Sequence, residues 1–183
     1  MEFTLGLGGE FQAINALPAI ALGFAAGLSV EEIQAGLNSI EIPGMRARMA
    51  MHSSGAAFYL DCYNASPASM DAALKHVAGA VGYERRVAVL GDMLELGEDT
   101  ASFHAKAGFS AAELGFDELL AYGPLALHAA DMAQSMGVRT SHFDDHAALN
   151  AAISNLLAPG TIVLVKGSNG MRLWDALEGF ELD

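Results

Sequence analysis

Three short segments hold most of the residues able to do chemistry. They are Asp61-Cys62-Tyr63-Asn64-Ala65-Ser66-Pro67, Gly91-Asp92-Met93-Leu94-Glu95-Leu96-Gly97 and Lys166-Gly167-Ser168-Asn169-Gly170, each directly after an apolar run. The chemistry they suit is anion handling. Lys166 offers a mobile ammonium for a carboxylate or phosphate. The N–H groups of Gly167 and Ser168 are expected to open a final helix, and a helix N-terminus favours an anion. Asp61 is an acceptor suited to ribose hydroxyls. Asp92 and Glu95 suit an ammonium group or general acid–base work. Arg46, at the junction of two differently patterned regions, is placed to reach a nucleotide across a cleft. Each segment also has a purely structural reading. Ser66 before Pro67 fits an N-cap with proline at the first helical position. Gly91-Asp92 fits a plain turn, and Gly167-Ser168-Asn169 fits a loop that caps the last helix. Convergence favours a site: an acid, an amide, a second acid and a lysine fall on one rim.

That rim follows from the elements that must carry it. From Arg48 onward, strand and helix patterns alternate. Met49–Ser53 and Ala56–Cys62 flank Ser54-Gly55, a hairpin signal. A helix is expected over Ser69–Ala80. Apolar runs follow at Val87–Leu90, Leu119–Tyr122, Thr140–Phe143 and Ile162–Val165, with helical stretches at about 100–114, 124–136, 145–157 and 170–179. Continuous β-branched runs spaced by helices predict a doubly wound, Rossmann-like α/β domain, its mostly parallel sheet covered on both faces. Ligand sites in such sheets lie at the carboxyl ends of the strands. Residues 1–47 read differently. A strand-like start, Phe3–Leu7, precedes a helix over about 12–26 and a second helix opening at Ser29. There Glu32 completes a capping box, Ile33, Leu37 and Ile40 share a face, and Ile42-Pro43-Gly44 is a stop. One strand and two helices bury little alone, so residues 1–47 read as the end of a preceding domain and 48–183 as the Rossmann-like domain.

Composition excludes several classes. The net charge of −13, from 22 acids and 9 bases, argues against nucleic acid and an anionic membrane surface. The lysines are Lys75, Lys106 and Lys166, and none follows a glycine-rich phosphate loop; no G-x-G-x-x-G follows a strand either. The six histidines lack an H-E-x-x-H pairing, and Cys62 has no second cysteine, so neither a zinc site nor a disulfide is expected. Cys62 reads as a buried thiol at a strand end. The longest apolar stretch, Ala16–Leu28, carries Pro18, Gly23 and Gly27 and falls short of the roughly 18 residues a membrane span needs. With no basic stretch ahead of it, a secretory signal is not expected and the setting reads as cytoplasmic.

Read together, these segments resemble the Mur ligases that add D-alanyl-D-alanine. Leu60–Met70 is similar to their D-x-Y-N-A-[NS]-P-x-S-M segment. Val89–Gly97 with the downstream His104 resembles G-D-M-x-E-L-G and its histidine. Val165–Ser168 matches K-G-S, and Gly44-Met45-Arg46 matches the G-M-R that opens the C-terminal domain. The resemblance covers essentially the whole chain: the end of the central ATPase domain, then the C-terminal domain. It implies an ATP- and Mg²⁺-dependent amide ligase of peptidoglycan synthesis. The carboxylate of a UDP-linked muramoyl tripeptide is phosphorylated, then attacked by the amine of D-Ala-D-Ala. By position, Asn15 is implied to contact adenine, and Arg46 and Asp61 the nucleotide. Asn64, Ser66, Lys166 and Ser168 are implied to line the dipeptide's entry. For Asp92, Glu95 and His104 the resemblance leaves open a role in stabilising their loop. The adenine helix of the family begins G-x-H-N-x-x-N; here Gly9-Glu10-Phe11-Gln12-Ala13-Ile14-Asn15 keeps only the last asparagine.

The phosphate loop, the Mg²⁺ ligands and the UDP-sugar domain fall outside the 183 residues. The polypeptide alone is therefore expected to lack turnover and to hold no cofactor tightly, with self-association possible through residues 1–48. A ligase adding diaminopimelate or glutamate, a cyanophycin-type synthetase and a non-catalytic Rossmann-like binding module are the competing readings.

Overall fold

In the computed structural model, which describes residues 2–6, 10–40 and 44–183, the capping box at Ser29 forms as its spacing requires. The Ser29 hydroxyl accepts from the Glu32 N–H at 3.2 Å, and the Glu32 carboxylate accepts from the Ser29 N–H at 2.8 Å. This starts helix α2, Val30–Asn38, which follows α1, Glu10–Ala25. Ile33 and Leu37 of α2 bury against Ala16 and Ile20 of α1, with Phe3 and Leu5 beside them. Ile40 lies past the end of α2 and is exposed; Ile42 and Pro43 of the expected stop, like Leu7 and Gly9, lie outside the described residues. Of the expected strand Phe3–Leu7, the described part, residues 3–6, is not a strand, and among the described residues no strand pairs with it. The Gln34 side-chain amide pairs with the backbone instead: Thr4 N–H donates to Gln34 Oε1 at 2.9 Å, and Gln34 Nε2 donates to the Thr4 carbonyl at 2.7 Å. These elements form one unit, Met1–Pro43; Gly44–Asp183 form a second.

The second unit is a six-stranded sheet. Strands β1 (Arg48–Met51) and β2 (Ala57–Asp61) form the antiparallel hairpin around Ser54-Gly55. Strands β3 (Arg85–Gly91), β4 (Glu118–Tyr122), β5 (Arg139–Phe143) and β6 (Thr161–Lys166) complete the order β1-β2-β6-β3-β4-β5, in which every pair except β1–β2 is parallel. Alternation along the strands feeds two cores. Tyr59, Ala88, Leu90, Leu119, Ala121 and Leu164 face α3 (Pro67–Ala78), α4 (Thr100–Glu113) and α5 (Leu127–Ser135). Phe58, Leu60, Val87, Val89, Leu120, Val163 and Val165 face α6 (His146–Ser154) and the C-terminal segment. Small residues let α4 and α5 approach closely: a Cβ on Gly108 would sit 2.0 Å from the Ala129 carbonyl oxygen.

One expected element changes type. Residues 169–177 form two 3₁₀ turns, Asn169–Met171 and Leu173–Leu177, rather than an α-helix. Arg172 separates them with left-handed backbone angles, φ 48° and ψ 42°, which interrupt any continuous helical ladder. Leu173, Ala176 and Leu177 are nonetheless buried. Spacings of three and four suit either helix type, which is why the apolar pattern reads as α-helical.

Candidate functional site at the carboxyl edge of the sheet

The three polar segments follow β2, β3 and β6, which are neighbours in the sheet and parallel, so all three leave from the same edge. Register sets Asp61 beside Lys166 on one side and Leu90 beside Lys166 on the other. Gly91 and Gly167 then lie face to face. A Cβ on Gly167 would meet Gly91 Cα at 3.1 Å and a Leu173 methyl at 2.8 Å. Glycine after each strand is therefore what lets the two loops cross.

Lys166 departs from its expected role. Its side chain is 1% accessible, so it is not a mobile charge on a rim. Nζ donates to Asp61 Oδ2, to the Asn64 carbonyl at 3.1 Å and to the Asp61 carbonyl at 3.4 Å. A buried ammonium is costly unless paired and hydrogen-bonded, and these acceptors meet that demand. Asp61 Oδ1 accepts from the Ala47 N–H at 3.2 Å, and 17% of the Asp61 side chain stays open. One carboxylate thus fastens β2, β6 and the segment leading into β1. That segment, 44–47, is bonded to the second unit. It takes left-handed conformations at Gly44 (φ 75°) and Ala47 (φ 49°), and its Met45 carbonyl accepts from the Tyr63 N–H at 3.1 Å. The Arg46 guanidinium stacks 3.8 Å above the Tyr63 ring centroid, a cation–π contact.

Ser168 is also turned inward. Only 5% accessible, it donates its N–H to the Asp92 carbonyl at 3.0 Å, and its hydroxyl accepts from the Leu94 N–H at 2.9 Å. With no α-helix behind it, this backbone does not make the anion site expected at Gly167 and Ser168. Ser66 keeps its structural reading: its hydroxyl caps α3 on the Ser69 N–H, with Pro67 next. Asn64 is exposed; its Oδ1 accepts from the Ala65 N–H at 2.9 Å.

Asp92 is 3% accessible and caps the turn after β4, Oδ1 accepting from Ala126 N–H at 2.7 Å and Leu125 N–H at 3.0 Å. Burial pushes its carboxyl above the ordinary carboxylate range, against the opposing pull of those N–H groups. Gly123, at φ 97°, makes room: a Cβ there would sit 2.7 Å from Asp92 Oδ1. His104 is buried, accepts from the Met93 N–H at Nε2 (2.8 Å) and donates from Nδ1 to the Thr100 carbonyl at 2.7 Å. It holds the 91–97 loop. Glu95 is exposed, at φ 64°.

Two layers result. Lys166, Ser168, Asp92 and His104 form an inner network that fixes the loops. Arg46, Tyr63, Asn64, Glu95 and the open part of Asp61 present a cation, an aromatic face, an amide and carboxylates to solvent. The Ala47 N–H and the Gly123–Ala126 turn join the site only in the structure, where Tyr63 of the Asp61–Pro67 segment gains its role as the platform for Arg46. Gly123-Pro124 is a turn signal at the end of β4. Asn15 is exposed on α1 of the first unit. Among the described residues no group of three His, Cys, Asp or Glu side chains could hold a metal ion.

The profile of the Mur ligase, glutamate ligase domain family matches residues 47–169. The chain belongs to the Mur ligase family. The UDP-N-acetylmuramoyl-tripeptide–D-alanyl-D-alanine ligase of Bacillus subtilis is 34% identical over 173 residues, covering 93% of this chain and 38% of that protein. Its namesake from Synechocystis is 37% identical, covering 94% and 38%. A crystal structure of MurF from Acinetobacter baumannii superposes with a TM-score of 0.83 at 30% identity, covering 96% of this chain and 38% of that one. MurF from Thermotoga maritima, solved with ADP, gives 0.77 at 22% identity, which speaks to the fold alone. The chain thus spans well under half the length of these Mur ligases, and its matched part is their C-terminal domain.

Proposed function

We propose that this chain forms the C-terminal part of a cytoplasmic, ATP-dependent ligase that joins D-alanyl-D-alanine to a UDP-N-acetylmuramoyl tripeptide. The observation carrying this reading is that relatives named for that activity are similar across 93% and 94% of the chain, polar rim included. In the reaction the tripeptide carboxylate displaces ADP from the γ-phosphorus of ATP. The dipeptide's amine then attacks the acyl phosphate carbon, loses a proton, and inorganic phosphate leaves as the amide forms.

On this reading the exposed layer of the rim meets the substrates. Arg46 answers the charge of the nucleotide's phosphates, and the open part of Asp61 accepts from its ribose. The Asn64 amide faces the dipeptide. Lys166 and Ser168 act through their neighbours, holding Asp61, Asn64 and the 91–97 loop in place, and Ser66 starts α3. Asn15 contacts adenine. Mg²⁺ would neutralise phosphate charge in such a reaction; among the described residues no cluster of His, Cys, Asp or Glu could hold it. The exposed side chains of Ile14, Leu17 and Leu22, at 59%, 60% and 70%, make self-association through the first region part of the reading. Light scattering that gives the mass of one chain at high concentration refutes that part.

A chimera tests the function. This chain replaces the matching 38% of the Bacillus subtilis ligase, and ADP release is followed with tripeptide substrate. Release that requires D-Ala-D-Ala, and that Asp61→Asn lowers about tenfold or more, supports the reading. A folded chimera whose release ignores the dipeptide ends it. The 183-residue chain alone is expected to give no enzyme-dependent release.

A further inference from the structure

A second concave surface lies between α3 and α4, with a volume of about 420 Å³, within the range of small-molecule sites. Its floor is apolar, with Met70 from α3 and Phe103 from α4. Lys75 and Lys106 stand over it, and Ser110 adds a hydroxyl. With Lys166 buried, these are the chain's two exposed lysines. Asp71 pairs with Lys75 at 2.7 Å, whereas Lys106 has no carboxylate partner among the described residues. Two ammonium groups against one carboxylate leave this groove positive in a chain of net charge −13. Pro67, in the first turn of α3, lines one end, where the helix macrodipole adds to the positive potential.

Lysine stems often lie along apolar surface with the charge in water. That arrangement covers a groove but leaves the cation without an anion. Here an unpaired ammonium, a second one steadied by a carboxylate and an apolar floor meet in one concavity.

We propose that the α3–α4 groove binds a small organic anion with an apolar body, a carboxylate or phosphate monoester. Lys106 is its principal charge partner and Lys75 the second. Apart from Pro67, which ends the first rim segment, its lining shares no residue with the rim, and neither lysine has a part in the ligase reading, so the proposal stands or falls independently of it.

The test uses the whole 183-residue chain and amide NMR titrations with phenyl phosphate and benzoate, which distinguish the two anion chemistries. Benzyl alcohol and benzylammonium are the controls. At least one anion is expected to give saturable shifts confined to α3 and α4, with benzyl alcohol weaker and benzylammonium silent. Lys106→Met is expected to weaken binding about tenfold, Lys75→Met less, and Asp71→Asn to strengthen it; both lysines are exposed, and the spectra themselves report whether each variant is folded. The proposal is overturned if neither anion saturates. It is equally overturned if the shifts map to residues 61–66 or 91–97, or if benzyl alcohol binds as well as the anions and Lys106→Met changes nothing.

Discussion

Removing the ammonium of Lys166 is the sharpest probe of the rim. In Lys166→Met, a side chain of similar length keeps the packing while Asp61 loses its partner. Breaking a buried pair from one side costs about 3–5 kcal/mol. The lower end is expected, because 17% of the Asp61 side chain reaches water and its other oxygen keeps the Ala47 N–H. Against a total stability of about 5–15 kcal/mol this is a large share, worth a fall of roughly 6–20 °C in Tm. Asp61→Asn should cost at least as much, since it strands an ammonium that is 1% accessible. The double variant should cost clearly less than the two singles added together, with a coupling of about 1–3 kcal/mol. Urea unfolding followed through Trp174, the chain's single tryptophan, reports the unit in question. If both single variants lie within about 0.5 kcal/mol of the parent, the pair is solvated and Lys166 does not hold the rim together.

Other expectations follow from particular contacts. Gly108→Ala sets a methyl into the Ala129 carbonyl and should destabilise by about 1–3 kcal/mol or more. Gly36→Ala in α2, with nothing within 4 Å, should instead stabilise the first unit by up to about 1 kcal/mol; denaturant midpoints compare the two. Asp92 holds its proton more tightly folded than unfolded, so its contribution to stability is greatest below the ordinary carboxylate range and falls as pH rises through it toward the raised folded value. Asp92→Asn removes that slope, and unfolding curves from acid to neutral pH should show the variant gaining on the parent as pH rises. Cys62 is fully buried and its thiol is pushed up to about 11, chiefly by burial, so thiol reagents at pH 8 should label native protein far more slowly than unfolded protein.

The sheet was legible because its inner strands β2, β3, β4 and β6 carry apolar runs, and the edge was legible because charge follows three of those runs, with glycine beside it after β3 and β6. What the sequence could not convey is which way each polar group turns. Lys166 reads as a rim cation because lysines are seldom buried; only the register beside Asp61 and the returning Asn64 carbonyl show that it is enclosed. Ser168 reads as a helix opener because Leu173, Ala176 and Leu177 keep helical spacing, and the left-handed Arg172 that interrupts them has no signature of its own. Asp92 and His104 bond to backbone groups of Leu125, Ala126, Met93 and Thr100, and backbone partners leave no mark in a pattern of side chains.

The last strand to emerge during synthesis is β6, yet it sits between β2 and β3 in the finished sheet. Until Thr161–Lys166 has been made, β2 and β3 each present an open edge, and their joining must close contacts across 105 residues, the separation of Asp61 and Lys166. A nascent chain stopped before Thr161 therefore carries two half-sheets with exposed edges, the kind of surface that pairs with other chains. The lysine that fastens the rim arrives on that same strand, so assembly of the edge and closure of the sheet are a single late event.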